Sequence, residues 1–399
     1  METDVIVVGA GPAGSTAARE IASRGASVLM LDRAKFPRDK PCGGGVTIRT
    51  AELLPFSLDP VIEAVIDTAH LRLRDHKEVT RQHSRPMTYM TQRSRLDHYL
   101  AEHAQEAGVE FRDGYPIKRV SRLPDGNYEV RHRDGSADRA RVIIGADGAN
   151  GVVRLNLGYE SPIESAVALE GNVYYPDGIP ERYRTSIVLN LSYAPGGYGW
   201  VFPKGDHVNV GVGGWKDQVG TTLRDRLDEF CHLYEFDPAS VTNLRGHHLP
   251  LTRPGALVAA GGSAVIGDAA GLVDPLSGEG IHGAVASGIG VAPTVEDYLA
   301  GRVDSLSGYH HRLTRELTPN IETSRALMEI FHALPAPFVW LLQHSDRFWD
   351  PAGELVRGEI EYSSIVNRFG PVVAALLKPS AKLARWRTGR RGLEASKNH

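Results

Sequence analysis

The chain has 399 residues, of which 42% are apolar and 23% charged, and its formal net charge is -3. That length exceeds what one hydrophobic core usually serves and predicts two intertwined domains, while the charge excludes a molecule-wide nucleic-acid binder. With only two cysteines, Cys42 and Cys231, a disulfide framework and a cysteine-rich zinc site are excluded too, and a reducing cytoplasm is expected.

The chain opens on "DVIVVGAG", an apolar run from Asp4 to Val8 that reads as a buried parallel strand. It lacks a basic stretch followed by a long apolar core, so no signal peptide is expected. A helix follows from about Ala13 to Ser23, Gly25 ends it, and "SVLMLD" forms a second strand ending at Asp32. This is a β-α-β unit. Its first turn, "GAGPAG", sets Gly9, Gly11 and Gly14 in the G-x-G-x-x-G spacing. Gly9 allows the tight turn, Gly11 lets backbone approach a pyrophosphate, and Gly14 lets helix and strand pack closely. The helix N-terminus offers N–H groups to phosphate, and Asp32, followed by Arg33, stands where an acid holds ribose hydroxyls. A dinucleotide site is the expectation.

Further along, a helix near Leu96 to Ala107 precedes the strand "VEFRDG". Two hairpin-like strands lie around "YEVRHRDGS", with Asp125-Gly126 and Asp134-Gly135 as turns. "ARVIIGADG" is another buried strand, and its turn carries Asp147. Residues 160 to 250 alternate as antiparallel β. Within them "DEFCHLYEF" reads as a helix that packs Cys231, and His247 and His248 are strand neighbours pointing to opposite faces. No acidic spacing completes a metal site, so none is expected. "SAVIGDAAG" returns to the buried parallel type, with Asp268 at the strand end placed for ribityl or pyrophosphate-side hydroxyls. Gly278, Gly280 and Gly283 then open a helix whose positive end suits the electron-rich edge of a reduced flavin. His282 lies near that site or caps and packs locally.

These elements predict an α/β fold: a Rossmann-type nucleotide domain built from discontinuous segments (1–70, 90–160 and 255–300), an inserted antiparallel sheet domain for substrate (71–89 and 161–254), and a helical C-terminal region (301–399) with a basic tail. The apolar run Pro335 to Leu342 is too short to span a bilayer. From Lys378 to His399 there are seven Lys or Arg and one Glu, a net +6 with Trp386 among the arginines. The tail is either a solvated basic segment or an attachment to anionic membrane, the latter suiting a lipid substrate.

"YGWVFPKGDHVNVGVGG", Tyr198 to Gly214, alternates as two strands of a hairpin. A turn at Lys204 to His207 sets Pro203 opposite Val208, Phe202 opposite Asn209, Trp200 opposite Gly211 and Tyr198 opposite Gly213. One face then carries Val201, Pro203, Val208, Val210 and Val212, a core face. The other carries three aromatic rings opposite glycines. Either the rings wall an open slot for a hydrocarbon or flat aromatic, or each ring covers the glycine it faces.

"GAGPAG", "GADG" and "GDAAG" together resemble the FAD-dependent oxidoreductases of the para-hydroxybenzoate hydroxylase-like fold. "KFPRDKPCGGG" and "YGWVFPKGDHVNVGVG" narrow the resemblance to the geranylgeranyl reductase family, over about residues 1 to 300. It implies that Ala13, Asp32, Cys42, Gly43, Gly45, Arg93, Asp268, Gly280 and Ile281 sit against FAD, Arg93 being placed by "RSRLDHYL" with Asp97 four residues on. It also implies that Tyr198, Trp200 and Phe202, with Gly211, guide a polyprenyl chain to the flavin. The family often has serine where Gly151 stands. The expected activity is hydride delivery from reduced FAD to an isolated C=C bond, completed by a proton. Cys42 is a candidate to give that proton or tune the flavin; otherwise it is a small buried hydrophobe. NADPH or another external donor is expected to supply electrons. The rival expectation is a flavin monooxygenase or halogenase acting on an aromatic, polyketide or terpenoid compound. A flavin-bound lipid carrier without turnover is a third.

Overall fold

The structure is a computed structural model that describes residues 2–159, 163–252, 256–368 and 371–387. The first strand, Glu2–Val8, lies in an eight-stranded sheet. It pairs in parallel with Val28–Asp32 on one side and Ala137–Gly145 on the other. Glu110–Asp113 and Ser263–Val265 extend the parallel array outward. Val5, Ile6, Val7, Val142, Ile143 and Ile144 are all buried, as a sheet covered on both faces requires. Ile117–Arg122 and Tyr128–His132 branch off as antiparallel strands.

The discontinuous segments meet through small residues. The helix Pro12–Ala22 packs against the helix Ile281–Leu299, and a methyl group at Gly288 would lie 2.8 Å from the Ala13 carbonyl oxygen. Such an approach brings the third segment's strand-end turn, with Asp268, beside the first segment's glycine turn.

A seven-stranded sheet forms the second domain. Its order is Thr242–Thr252, Ile163–Tyr174, His207–Trp215, Tyr198–Pro203, Ser186–Leu191, Thr68–Leu73 and Val79–Gln82. All pairs are antiparallel except Ser186–Leu191 with Thr68–Leu73. The expected start of the domain's first segment at residue 71 therefore falls inside a strand that begins at Thr68. The hairpin register is the one its alternation predicts, residue for residue. Val201, Val208, Val210 and Val212 are fully buried against Phe230 and Cys231 of the helix Leu223–Leu233, where Cys231 packs as expected.

A three-stranded sheet, Gly45–Thr47, Thr88–Met90 and Ala64–Ile66, joins the two domains and had no clear period in such short strands. The C-terminal helices also do more than trail the chain. The Gln343 amide donates to the Leu71 carbonyl at 2.9 Å, the Trp349 indole donates to the Gln82 carbonyl at 3.0 Å, and Asp346 pairs with Arg81. They thus close over one edge of the second sheet. No single helix among the described residues is long and apolar enough to cross a membrane. The basic tail enters the described residues only within the helix Pro371–Arg387; residues 388–399 lie outside them.

A side chain at position 14 has nowhere to go, because its first carbon would lie 1.8 Å from the Gly9 carbonyl oxygen. Gly14→Ala is expected to cost about 1–3 kcal/mol through overpacking. Thermal denaturation of the two proteins side by side, showing a lowered midpoint in the variant, checks this.

Candidate functional site

A cavity of about 1650 Å³ runs between the domains and beneath the C-terminal helices. Its polar end is the glycine turn. Gly9 has φ +102°, and a methyl there would lie 2.3 Å from the Ala146 carbonyl oxygen, so the "GAG" and "GADG" turns abut. Asp32 is nearly buried and accepts from the Ala10 and Ala34 N–H groups, each at 2.9 Å. A carboxylate oxygen has more than one lone pair, so both oxygens keep acceptor capacity for ribose hydroxyls.

Beside this turn, Arg93 makes a two-pronged pair with Asp97 (2.7 and 2.8 Å), and Arg38 reaches the same carboxylate at 2.7 Å. Burial works against the Arg93 charge, but Asp97 outweighs it and holds the guanidinium above its ordinary range. Arg38 also stands 4.0 Å from Asp32, so it bridges the two carboxylates. A methyl at Gly11 would sit 3.5 Å from Arg38 and 3.8 Å from Arg93, so glycine there leaves the gap between helix N-terminus and guanidinium groups open to an anion.

Asp147 is pushed up to about 6 by burial; its Oδ2 accepts from the Val153 N–H at 3.0 Å. Its Oδ1 is buried without a hydrogen-bond partner among the described residues, a vacancy that a nucleotide hydroxyl fits. At Gly151, where the family often has serine, a Cβ would lie 2.1 Å from that same oxygen.

Midway along the cavity, Asp268 pairs with Lys40 at 3.1 Å. Burial would raise its pKa, but Lys40 overrides that and keeps it below the ordinary range. Facing them, His247 is pushed down to about 4 by burial and by the Lys40 charge, so its imidazole is neutral. Gly280 caps the helix Ile281–Leu299 and, with Ile281, lines the cavity. Gly278 has φ +75° in the preceding loop. The Tyr198 hydroxyl donates to the Ser277 carbonyl at 2.6 Å and so pins the aromatic hairpin to that loop.

The loop around Cys42 closes the centre. The Cys42 N–H donates to Glu170 Oε1 at 2.5 Å, and the Gly44 N–H points to Cys42 Sγ at 3.4 Å. Lys204, 3% exposed, donates from Nζ to the carbonyls of Gly43 (2.5 Å) and Thr91 (2.9 Å). Burial pushes Lys204 down to about 8 and Glu170 up to about 7; each is opposed by the other's charge. Gly44, at φ +71°, cannot be otherwise: a methyl would lie 2.0 Å from the Thr91 carbonyl oxygen.

The second sheet supplies the apolar wall in register rows. Leu71, Leu189, Trp200, Gly211 and Glu170 form one row; Leu191, Tyr198, Gly213, Ala168 and His247 form the next. Both readings of the hairpin hold in part. Trp200 lies over Gly211, where a methyl would come within 2.2 Å of its ring, and its indole donates to Asn209 at 2.8 Å. The same ring, with Tyr198 and Phe202, lines the cavity. Gly211 itself is not among the lining residues, a correction to its expected substrate contact: the indole takes that space. Gly213 is open to the cavity instead.

The remaining residues expected at the nucleotide and flavin, Ala13, Arg33, Cys42, Gly43 and Gly45, also line this cavity. Gly14 does not, and serves packing as its position in the fingerprint predicted. His282 bonds to Thr50, distant in sequence on the helix Ile48–Glu52, at 3.2 Å. Lys40, Glu170, Lys204 and His247 escaped sequence reasoning as site residues. His247 was the most accessible of them, since strand alternation already sent one of the His247–His248 pair to this face. At the far end Phe338, Leu342, Phe348, Trp349, Leu376 and Leu377 line the mouth, a contribution that no motif announced.

A family model described as FAD binding domain matches residues 2–232. Digeranylgeranylglycerophospholipid reductase 2 of Methanothermobacter thermautotrophicus is 31% identical over 84% of this chain and 89% of its own length. Geranylgeranyl diphosphate reductase of Rhodobacter capsulatus is 34% identical over 72% of this chain and 73% of its own. Among solved structures, a geranylgeranyl bacteriochlorophyll reductase-like protein of Thermoplasma acidophilum shares the fold, with TM-score 0.76 and 24% identity over 95% of this chain and 99% of that one.

Arg93→Leu leaves Asp97, wholly buried, with Arg38 as its remaining cation. The expected cost is about 1.5–3 kcal/mol, less than that of an uncompensated buried charge because Arg38 still pairs with the carboxylate. Denaturant unfolding measures it, and loss of yellow cofactor on gel filtration reports the accompanying weakening of the anion cradle.

Proposed function

This chain belongs to the geranylgeranyl reductase family of FAD-dependent oxidoreductases, and we propose that it saturates isolated C=C bonds of a prenyl lipid. The observation that carries the reading is the cavity's polarity. One end offers glycine backbone, Asp32, Arg38 and Arg93 to a dinucleotide; the other offers Leu71, Leu189, Trp200 and Phe202 under Phe338 and Leu342. An apolar slot that continues from a nucleotide cradle suits a long hydrocarbon presented to a redox cofactor. Fold alone does not separate alkene reduction from oxygenation or halogenation; the sequence relatives favour reduction.

Bound and reduced, FAD supplies a hydride. The protein's own work is to bind, orient and exclude water. Gly9, Gly11 and the helix N-terminus, with Arg38 and Arg93, would hold the pyrophosphate; Asp32 would hold the ribose, and Asp268, fixed by Lys40, would meet the central hydroxyls. Cys42, on the loop tied down by Glu170 and Lys204, borders the reacting region. The electron donor, NADPH or another external reductant, is proposed to engage transiently.

The mouth is proposed to meet a lipid surface at the cytoplasmic face of a membrane. Phe338 and Leu376 line it while 37% and 55% exposed, and their helices also expose Trp340, Leu383 and Trp386. Lys378, Lys382 and Arg387 are exposed on the second of these helices. Apolar anchors beside basic residues suit anionic headgroups.

Anaerobic incubation of the dithionite-reduced enzyme with geranylgeranyl diphosphate and with a digeranylgeranyl glycerophospholipid is expected to add two hydrogens per reduced bond, read by mass spectrometry. Fast reoxidation in air coupled to a hydroxylated or halogenated product would overturn the reading. Phe202→Ala is expected to keep its FAD and raise KM for the lipid by roughly tenfold, about 1.4 kcal/mol of lost contact. Co-sedimentation with phosphatidylglycerol vesicles is expected for the wild-type chain and reduced by Trp340→Glu with Leu383→Glu; equal pelleting rejects the docking face.

A further inference from the structure

Adding hydrogen across an alkene needs a proton as well as a hydride, and we infer that the Glu170 carboxyl gives it. The inference rests on the reductase reading above. Glu170 is the carboxylate that the second sheet contributes to the cavity lining among the described residues. It stands in the same register row as Trp200, with only Gly211 between them, and its Oε1 is held by the Cys42 N–H at 2.5 Å. It is therefore fixed between the aromatic wall and the Cys42 loop, at 8% exposure.

The other acids of the cavity are committed elsewhere. Asp268 is paired with Lys40 and Glu279 with Arg49. Asp32 holds two backbone N–H groups of the nucleotide turn, and Asp147 belongs to the adjoining "GADG" turn, where it accepts from the Val153 N–H. Asp39 is exposed and 3.4 Å from Arg245. The Tyr198 hydroxyl already donates to Ser277, and burial holds its proton well above the usual phenol range.

In the step, the alkene π bond breaks. One carbon takes the hydride of reduced FAD, the other takes the Glu170 proton, and oxidised FAD and a carboxylate remain, the latter reprotonated from water. The groups facing Glu170 are Lys204 from the hairpin turn, Asp39 and Cys42 from the loop before Gly45–Thr47, Asn209 from the strand on one side and Arg245, its register partner, from the strand on the other. Burial outweighs the Cys42 hydrogen bond and the Lys204 charge and pushes Glu170 up to about 7. The acid form is thus present below pH 7 and lost as pH rises through it.

The test uses Glu170→Gln holoenzyme, an amide that still accepts from Cys42. It is expected to retain FAD and its melting temperature, while anaerobic oxidation of its reduced flavin by prenyl lipid slows by about 10²–10⁴, the usual worth of a positioned general acid. The wild-type rate should fall tenfold per pH unit above about 7, and that limb should vanish in the variant. Independently of turnover, the infrared difference spectrum between pH 6 and pH 8 should show a protonated-carboxyl band in wild type that Glu170→Gln lacks. If wild type saturates lipid and the variant does so within threefold at every pH, Glu170 is not the donor; if wild type saturates none, the reductase reading itself falls.

Discussion

The ammonium of Lys204, carried into the interior at the turn of the aromatic hairpin, joins the two halves of this protein's site. It belongs to the second sheet, yet it donates to the carbonyls of Gly43 and Thr91, which belong to the nucleotide domain. A buried cation is costly unless its donors are met, so the turn, the Cys42 loop and the segment leading into Arg93 are held as one arrangement. Gly44 belongs to the same arrangement: it has positive φ, and a Cβ there would lie 2.0 Å from the Thr91 carbonyl oxygen that accepts from Lys204. The Tyr198–Ser277 bond repeats the idea at the other end of the hairpin. The apolar wall and the nucleotide cradle can face one cavity because these ties fix the angle between them.

Charge is graded along that cavity. At the nucleotide end, Arg38 and Arg93 stand beside Asp32, Asp97 and a helix N-terminus whose N–H groups favour an anion. In the middle, Lys40 and Asp268 cancel beside a neutral His247. Toward the aromatic wall, Lys204 and Glu170 are each drawn by burial toward their uncharged forms. The low dielectric there strengthens whatever polar contact remains.

Much of the fold was legible from local chemistry. A continuous β-branched run followed by glycines and an apolar-faced helix can hardly be anything but the opening β-α-β unit, because backbone sterics restrict that turn to glycine. The hairpin register could be read too, since a period of two leaves no freedom once the turn is placed. The short strands Gly45–Thr47, Ala64–Ile66 and Thr88–Met90 were not legible: three residues carry no period, and their pairing is decided by the domains they bridge. Gly211 was assigned to substrate from its place opposite Trp200 and from the family resemblance, neither of which says which way an indole folds.

The sequence by itself determined the nucleotide fingerprint, the split between parallel and antiparallel domains, and the row of rings facing glycines, because each depends on neighbours within a few residues. Only the tertiary structure decided which charged groups share the cavity and what covers its mouth. Glu170 meets Cys42 across 128 positions, and Lys204 reaches Gly43 across 161. Their burial, and hence their protonation, arises from surfaces that no local pattern contains.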